Sequence, residues 1–194
     1  MIKTLIYLHG FNSSPQSEKA RLTCQFFEAQ SAKLTILVPS LPASPSEAVA
    51  KLDTLVQSIG LNNLAGFIGS SLGGYYSLYF QQRYQRPVVL INPAIKPYTL
   101  LLDYLGENVN LYTGERYIVE LTHMDELKAL EVTYVKTAQN TFLLTQTGDE
   151  VLAYQQAVTH LKGAKMWIQF GGSHGFDDFN KVLPAIKNFF EVSL

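Results

Sequence analysis

Gly69-Ser70-Ser71-Leu72-Gly73 carries a serine with glycines two residues before and two after it. A serine that attacks a carbonyl has to stand at a sharp turn from strand into helix, its hydroxyl at the apex and its backbone strained. Small flanking residues relieve the crowding of such a turn, although Gly69 and Gly73 would also serve plain strand–helix packing with Ser71 as a helix cap. The flanks favour the turn. Leu64-Ala65-Gly66-Phe67-Ile68 is a short apolar run suited to a buried parallel strand, and the chain then continues to Tyr84 without a breaker.

A serine hydroxyl is a weak nucleophile until a base takes its proton. Of the four histidines, His174 lies in Gly171-Gly172-Ser173-His174-Gly175-Phe176, a glycine-rich turn directly after the last expected strand. His160 falls on an expected helix, His123 in a long irregular segment, and His9 beside a Gly-Phe pair that suggests another role. The imidazole in turn needs a carboxylate to hold its tautomer and stabilise its charged form. Asp149, in Thr147-Gly148-Asp149-Glu150 after another expected strand, fits this role, with Glu150 beside it as a substitute. Asp177 and Asp178 lie too near His174 and read as helix-start residues. The oxyanion of a tetrahedral intermediate calls for two backbone donors. These are expected from the Leu72 N–H and from the Phe11 N–H in His9-Gly10-Phe11-Asn12, with His9, Gly10 and Asn12 as substrate-binding neighbours.

The elements that must bring these residues together alternate along the chain. Strands are expected at 2–8, 34–38, 64–68, 87–91, 141–147 and 165–170. Helices are expected from Pro15, capped by Ser14, to about Gln30; from Pro45, capped by Ser44, to Ile59; from Ser71 to Tyr84; and at about 150–162 and up to Val192, with Pro184 near the start of the last. Such alternation implies βαβ units and a six-stranded, mainly parallel sheet with helices on both faces. Ligands bind such sheets at the carboxyl ends of the strands, where Ser71, Asp149, His174 and the His9 loop all fall. Their order, Ser71 then Asp149 then His174, is that of the α/β-hydrolase fold. Residues 95–139 break the alternation, with five tyrosines, helices expected near 97–105 and 123–130, and a net charge of −3. We expect one domain over 1–194, with 95–139 as a small cap above the strand ends.

Composition narrows the remaining possibilities. A formal net charge of −1 leaves no broad electrostatic footprint for nucleic acid or an anionic membrane. Cys24 is the single cysteine, which excludes an intrachain disulfide and a cysteine-based metal cluster; it is expected to be a buried, inert thiol. No stretch approaches the roughly 18 apolar residues of a membrane span. The apolar run from Met1 to Leu8 is too short for a secretory leader and no small-residue cleavage site follows it, so a cytoplasmic location is expected.

The combination of Tyr7-Leu8-His9-Gly10-Phe11-Asn12-Ser13-Ser14-Pro15, Gly69-Ser70-Ser71-Leu72-Gly73-Gly74-Tyr75-Tyr76, Asn92-Pro93-Ala94 and Gln146-Thr147-Gly148-Asp149-Glu150-Val151-Leu152 resembles the YqiA-type bacterial esterases, small members of the α/β-hydrolase superfamily. The resemblance extends over almost the whole chain, including Asp103-Tyr104-Leu105-Gly106 and Tyr112-Thr113-Gly114. It implies a cytoplasmic serine esterase acting on acyl esters, and on thioesters as a variant, through Ser71, Asp149 and His174. The apolar, tyrosine-rich surroundings suggest an uncharged acyl group of small to medium size, and the net charge of −3 over 95–139 does not favour a strongly anionic substrate. No metal or organic cofactor is called for. Two other readings stay open: a non-catalytic binding protein on the same fold, and an acyltransferase using the same three residues.

Overall fold

The computed structural model of the chain describes residues 2–193; Met1 and Leu194, the ends of the expected domain, lie outside them. Eight strands form among the described residues: β1 (Lys3–Leu8), β2 (Leu34–Leu37), β3 (Leu64–Ser70), β4 (Val88–Ile91), β5 (Gly106–Val109), β6 (Arg116–Val119), β7 (Thr141–Gln146) and β8 (Lys165–Gln169). Six of them make one sheet in the order β2-β1-β3-β4-β7-β8, parallel at every pairing. Parallel neighbours require crossovers, which the helices supply. These are α1 (Glu18–Gln30), α2 (Pro45–Ile59), α3 (Leu72–Tyr84), α4 (Pro97–Leu100), α5 (Leu121–Ala129), α6 (Tyr154–His160) and α7 (Leu183–Val192).

Both faces of the sheet are covered, so its central strands are apolar on successive residues rather than alternate ones. All seven residues of β3 are buried, as are all four of β4 and all six of β7. One face packs Ile6, Leu8, Phe67, Val88 and Leu90 against α2, α3, α5 and α6; the other packs Leu5, Ile68, Val89 and Ile91 against α1 and α7. Close approach of α7 to the sheet depends on Gly66, where a Cβ would collide with the Pro87 carbonyl and the Phe190 ring.

Three elements differ from the sequence expectation. α1 begins at Glu18 with Ser17 as its N-cap residue, not at Pro15 after Ser14: residues 14–17 form a separate turn closed by the Ser17 N–H on the Ser14 carbonyl at 3.0 Å, and the first helical bond runs from the Arg21 N–H to the Ser17 carbonyl. Within 95–139, the expected helix near 97–105 is a single turn, α4, followed by a 3-10 turn over Leu101–Tyr104. An antiparallel hairpin of β5 and β6 then intervenes before α5. Cys24 is half-buried rather than fully buried, and burial still pushes its thiol pKa up. Among the described residues, no helix is long and apolar enough to cross a membrane.

Candidate active site

Four loops leave the carboxyl ends of β1, β3, β7 and β8 on one rim of the sheet, because all four strands run the same way. Ser71 stands at the junction of β3 and α3 with φ 55° and ψ −121°, a conformation that only surrounding structure can hold in a residue with a Cβ. That structure is visible. The Ser71 N–H donates to the Ile91 carbonyl at 3.1 Å, and the Ser71 carbonyl accepts from the Gly74 N–H at 2.9 Å and the Ala94 N–H at 3.1 Å. The flanking glycines are steric requirements. A Cβ on Gly73 would overlap the Leu8 carbonyl, and one on Gly69 would overlap the Gly73 carbonyl and the Ser77 hydroxyl.

The His174 ring reaches this serine from the β8 loop. Its Nε2 lies 3.1 Å from Ser71 Oγ, and its Nδ1 lies 2.9 Å from Asp149 Oδ2 and 3.1 Å from Oδ1. An ionised carboxylate can only accept, so Nδ1 carries the proton and Nε2 is left to accept from the serine hydroxyl. The Asp149 side chain is only 1% exposed. Burial raises its pKa, but bonds from His174 and from the Leu152 and Val151 N–H groups outweigh this and hold it below the usual carboxylate range. Glu150 occupies a different place: its Oε2 accepts the His174 backbone N–H at 2.9 Å and does not touch the ring. His123 accepts the Glu120 N–H at the start of α5, and His160 closes α6, so neither joins the cluster.

On the opposite side of Ser71, the β1 loop supplies the remaining expected residues. Among the described residues, neither the Phe11 N–H nor the Leu72 N–H donates to a protein acceptor. Gly10 makes the close approach: a Cβ there would stand 3.2 Å from Ser71 Cβ and 3.7 Å from its Oγ. His9 is buried beneath the loop and lines the cavity beside Ser71. Its Nδ1 donates to the Gly10 carbonyl at 3.0 Å and its Nε2 accepts the Leu41 N–H at 3.2 Å, which fixes a neutral ring and orients the Gly10–Phe11 peptide. Asn12 adopts φ 51°, and its side-chain oxygen accepts the Tyr117 hydroxyl from β6. The Phe11 ring meets Tyr104 and Tyr117 edge-on at 5.2 and 6.2 Å between centroids. The Asn110 amide donates to the Ser13 carbonyl at 2.9 Å, so segment 95–139 lies directly on this loop.

Two amide side chains to which the sequence analysis gave no site role support the His174 loop. Asn92, just past β4, donates through Nδ2 to the Ser173 carbonyl at 3.0 Å and the His174 carbonyl at 3.2 Å, while its Oδ1 accepts the Gln146 N–H at 3.0 Å. Gln146 Oε1 accepts the Ser173 and Asp177 N–H groups at 3.0 and 2.8 Å. Asn92 entered the sequence reading only within the Asn92-Pro93-Ala94 stretch of the family resemblance, with no role; its φ of 39° shows a constrained position.

Among the described residues, no group of three His, Cys, Asp or Glu side chains is placed to hold a metal ion. The model of Uncharacterised protein family (UPF0227) matches residues 4–191. A protein from Agrobacterium vitis S4 assigned as a hydrolase superposes with a TM-score of 0.76 at 20% identity, covering 97% of this chain and 88% of its own. Mouse alpha/beta hydrolase domain-containing protein 10 gives 0.73 at 13%, covering 98% and 90%. Est1E from Butyrivibrio proteoclasticus gives 0.72 at 13%, covering 98% and 88%. The architecture shared with them is the α/β-hydrolase fold.

Proposed function

The chain belongs to the UPF0227 family, and from that premise we propose that it is a serine esterase working through an acyl-enzyme intermediate. The observation that carries this reading is the unbroken run of hydrogen-bond distances from Asp149 through the His174 ring to Ser71 Oγ, with the serine held in a strained turn. His174 Nε2 takes the hydroxyl proton as Ser71 Oγ bonds to the ester carbonyl carbon. The carbonyl oxygen becomes negative between the Phe11 and Leu72 N–H groups, and each such donor is worth about 3–4 kcal/mol to the transition state. The imidazolium then gives its proton to the leaving alcohol as the C–O bond breaks. Water, deprotonated by the same nitrogen, attacks the acyl carbon and releases the acid. Asp149 stays ionised and holds the tautomer throughout.

The substrate class we propose is small to medium acyl esters, with thioesters open to the same chemistry, and the setting is the cytoplasm. Segment 95–139, lying on the oxyanion loop, acts as the cap that sorts substrates. The test is hydrolysis of 4-nitrophenyl esters of graded acyl length by wild type and Ser71→Ala, alongside fluorophosphonate labelling of both. Turnover and labelling that vanish with Ser71, by a factor of about 10⁴ or more, are expected. Well-folded wild type that neither turns over nor labels would overturn the enzyme reading in favour of a binding protein. Acyl transfer to an added alcohol in preference to water would move it to a transferase.

A further inference from the structure

Beside Ser71 and His174 opens a cavity of about 290 Å³ that reaches the start of α1, and its wall there is suited to an anion. Lys19 is the one lysine or arginine lining it. Its ammonium donates to the Gly175 carbonyl at 2.9 Å and has no carboxylate within 4 Å among the described residues, so two of its three protons remain for a ligand. Burial holds the Lys19 pKa below its ordinary value, with Glu18 and Asp149 opposing that shift, and an incompletely solvated ammonium gains most from an anionic partner.

The start of α1 lies beside it: Ser17, Glu18 and Lys19 line the cavity, and the 13-residue helix brings the positive end of its dipole to that wall. The opposing charges are few. Glu18 is exposed and screened by solvent, and Asp149 is already engaged by His174, Val151 and Leu152. The negative charge of segment 95–139 does not enter, since that segment contributes only Tyr112 to the lining.

We propose that this cavity receives a carboxylate borne by the acyl part of the substrate, so that the preferred substrates are half-esters of dicarboxylic acids. The proposal rests on the esterase reading and refines it. The probe pair is the 4-nitrophenyl half-ester of glutaric acid against 4-nitrophenyl 5-methylhexanoate, which has the same shape with an uncharged isopropyl group in place of the carboxylate. Lys19→Met is expected to lower kcat/KM for the half-ester by roughly ten- to hundredfold relative to the neutral ester, with the loss chiefly in KM. Lys19→Arg should restore most of the difference. Because Lys19 also holds the Gly175 carbonyl, a purely structural role would slow both esters by the same factor, and that outcome overturns the proposal. Turnover of the neutral ester tests the esterase reading separately. Calorimetric binding of monomethyl glutarate to Ser71→Ala, with and without Lys19→Met, reads the contact without any turnover. Binding that weakens with Lys19→Met supports the proposal; absent binding, or binding indifferent to Lys19, overturns it.

Discussion

Replacing Asp149 by asparagine removes one charge and leaves the volume unchanged, and the structure dictates how the amide must sit. Oδ1 of Asp149 accepts two backbone N–H groups, Val151 at 2.9 Å and Leu152 at 2.8 Å, while Oδ2 faces His174 Nδ1 at 2.9 Å. An asparagine in the same rotamer keeps both backbone bonds only with its oxygen at the Oδ1 position. The reverse orientation would set an NH₂ against two N–H donors, at a cost of about 1–3 kcal/mol for each bond lost. The NH₂ therefore points at Nδ1 and donates to it, which drives the ring proton onto Nε2. A protonated Nε2 cannot accept from Ser71 Oγ, so the serine loses its base although every atom stays in place. The expected loss in kcat/KM is about 10⁴-fold, or about 5.4 kcal/mol of transition-state stabilisation. The assay is 4-nitrophenyl butyrate hydrolysis by wild type, Asp149→Asn and Glu150→Gln, with thermal melts to establish folding. Glu150→Gln should stay within tenfold of wild type, because its side chain holds the His174 backbone and not the ring. An Asp149→Asn enzyme within tenfold of wild type, or a Glu150→Gln enzyme equally damaged, would refute this reasoning.

Two further outcomes follow from the β1 loop. Gly10→Ala places a methyl 3.2 Å from Ser71 Cβ, tight enough to displace the oxyanion donors by a few tenths of an ångström. Turnover should fall by about 10²-fold with the melting temperature little changed, and equal activity would show that Gly10 does not shape the cradle. His9 is buried neutral, and burial holds its pKa below the ordinary histidine value. The unfolded chain then binds more protons at this site than the folded chain, so stability rises with pH. The contribution is complete above about pH 6.5 and is lost as pH falls from there through the folded value. Melting temperatures between pH 8 and 5 should fall more steeply for wild type than for His9→Gln; parallel slopes would exclude this role.

Much of the sheet was legible because its signals are local. Apolar runs bounded by Gly60, Pro87 or the Gly171-Gly172 pair set strand limits, and the Ser44-Pro45 start of α2 follows from capping chemistry, the Ser44 hydroxyl accepting the Glu47 N–H at 3.3 Å. The proximity of Ser71, Asp149 and His174 follows from three strand ends on one rim, which the alternation of elements implies. The start of α1 was misread because the Ser14-Pro15 pair carries an N-terminal signature that the chain uses for a turn over 14–17, while Ser17, which begins the helix, makes no side-chain capping bond that a pattern could reveal. The β5–β6 hairpin left little trace: four-residue strands such as Gly106-Glu107-Asn108-Val109 mix polar and apolar residues, and their turn signal, Gly114 at φ 73°, is a single glycine. Lys19 on the cavity wall and Asn92 under the His174 loop were invisible for another reason. Their partners, Gly175 and Ser173, lie 156 and 81 residues away, and no spacing rule reaches that far.

The identity of the residue after Asn92 bears on how long the protein keeps its chemistry. Asparagine ages when the nitrogen of the following residue closes on the side-chain carbonyl, expels ammonia and leaves aspartate or isoaspartate. Pro93 has no N–H with which to complete that ring closure. An aspartate at 92 would set a carboxylate against the Ser173 and His174 carbonyls that the amide now serves as donor. The Asn92–Pro93 pair thus protects the support of the His174 loop against a slow chemical clock, and loss of activity on storage should originate elsewhere in the chain.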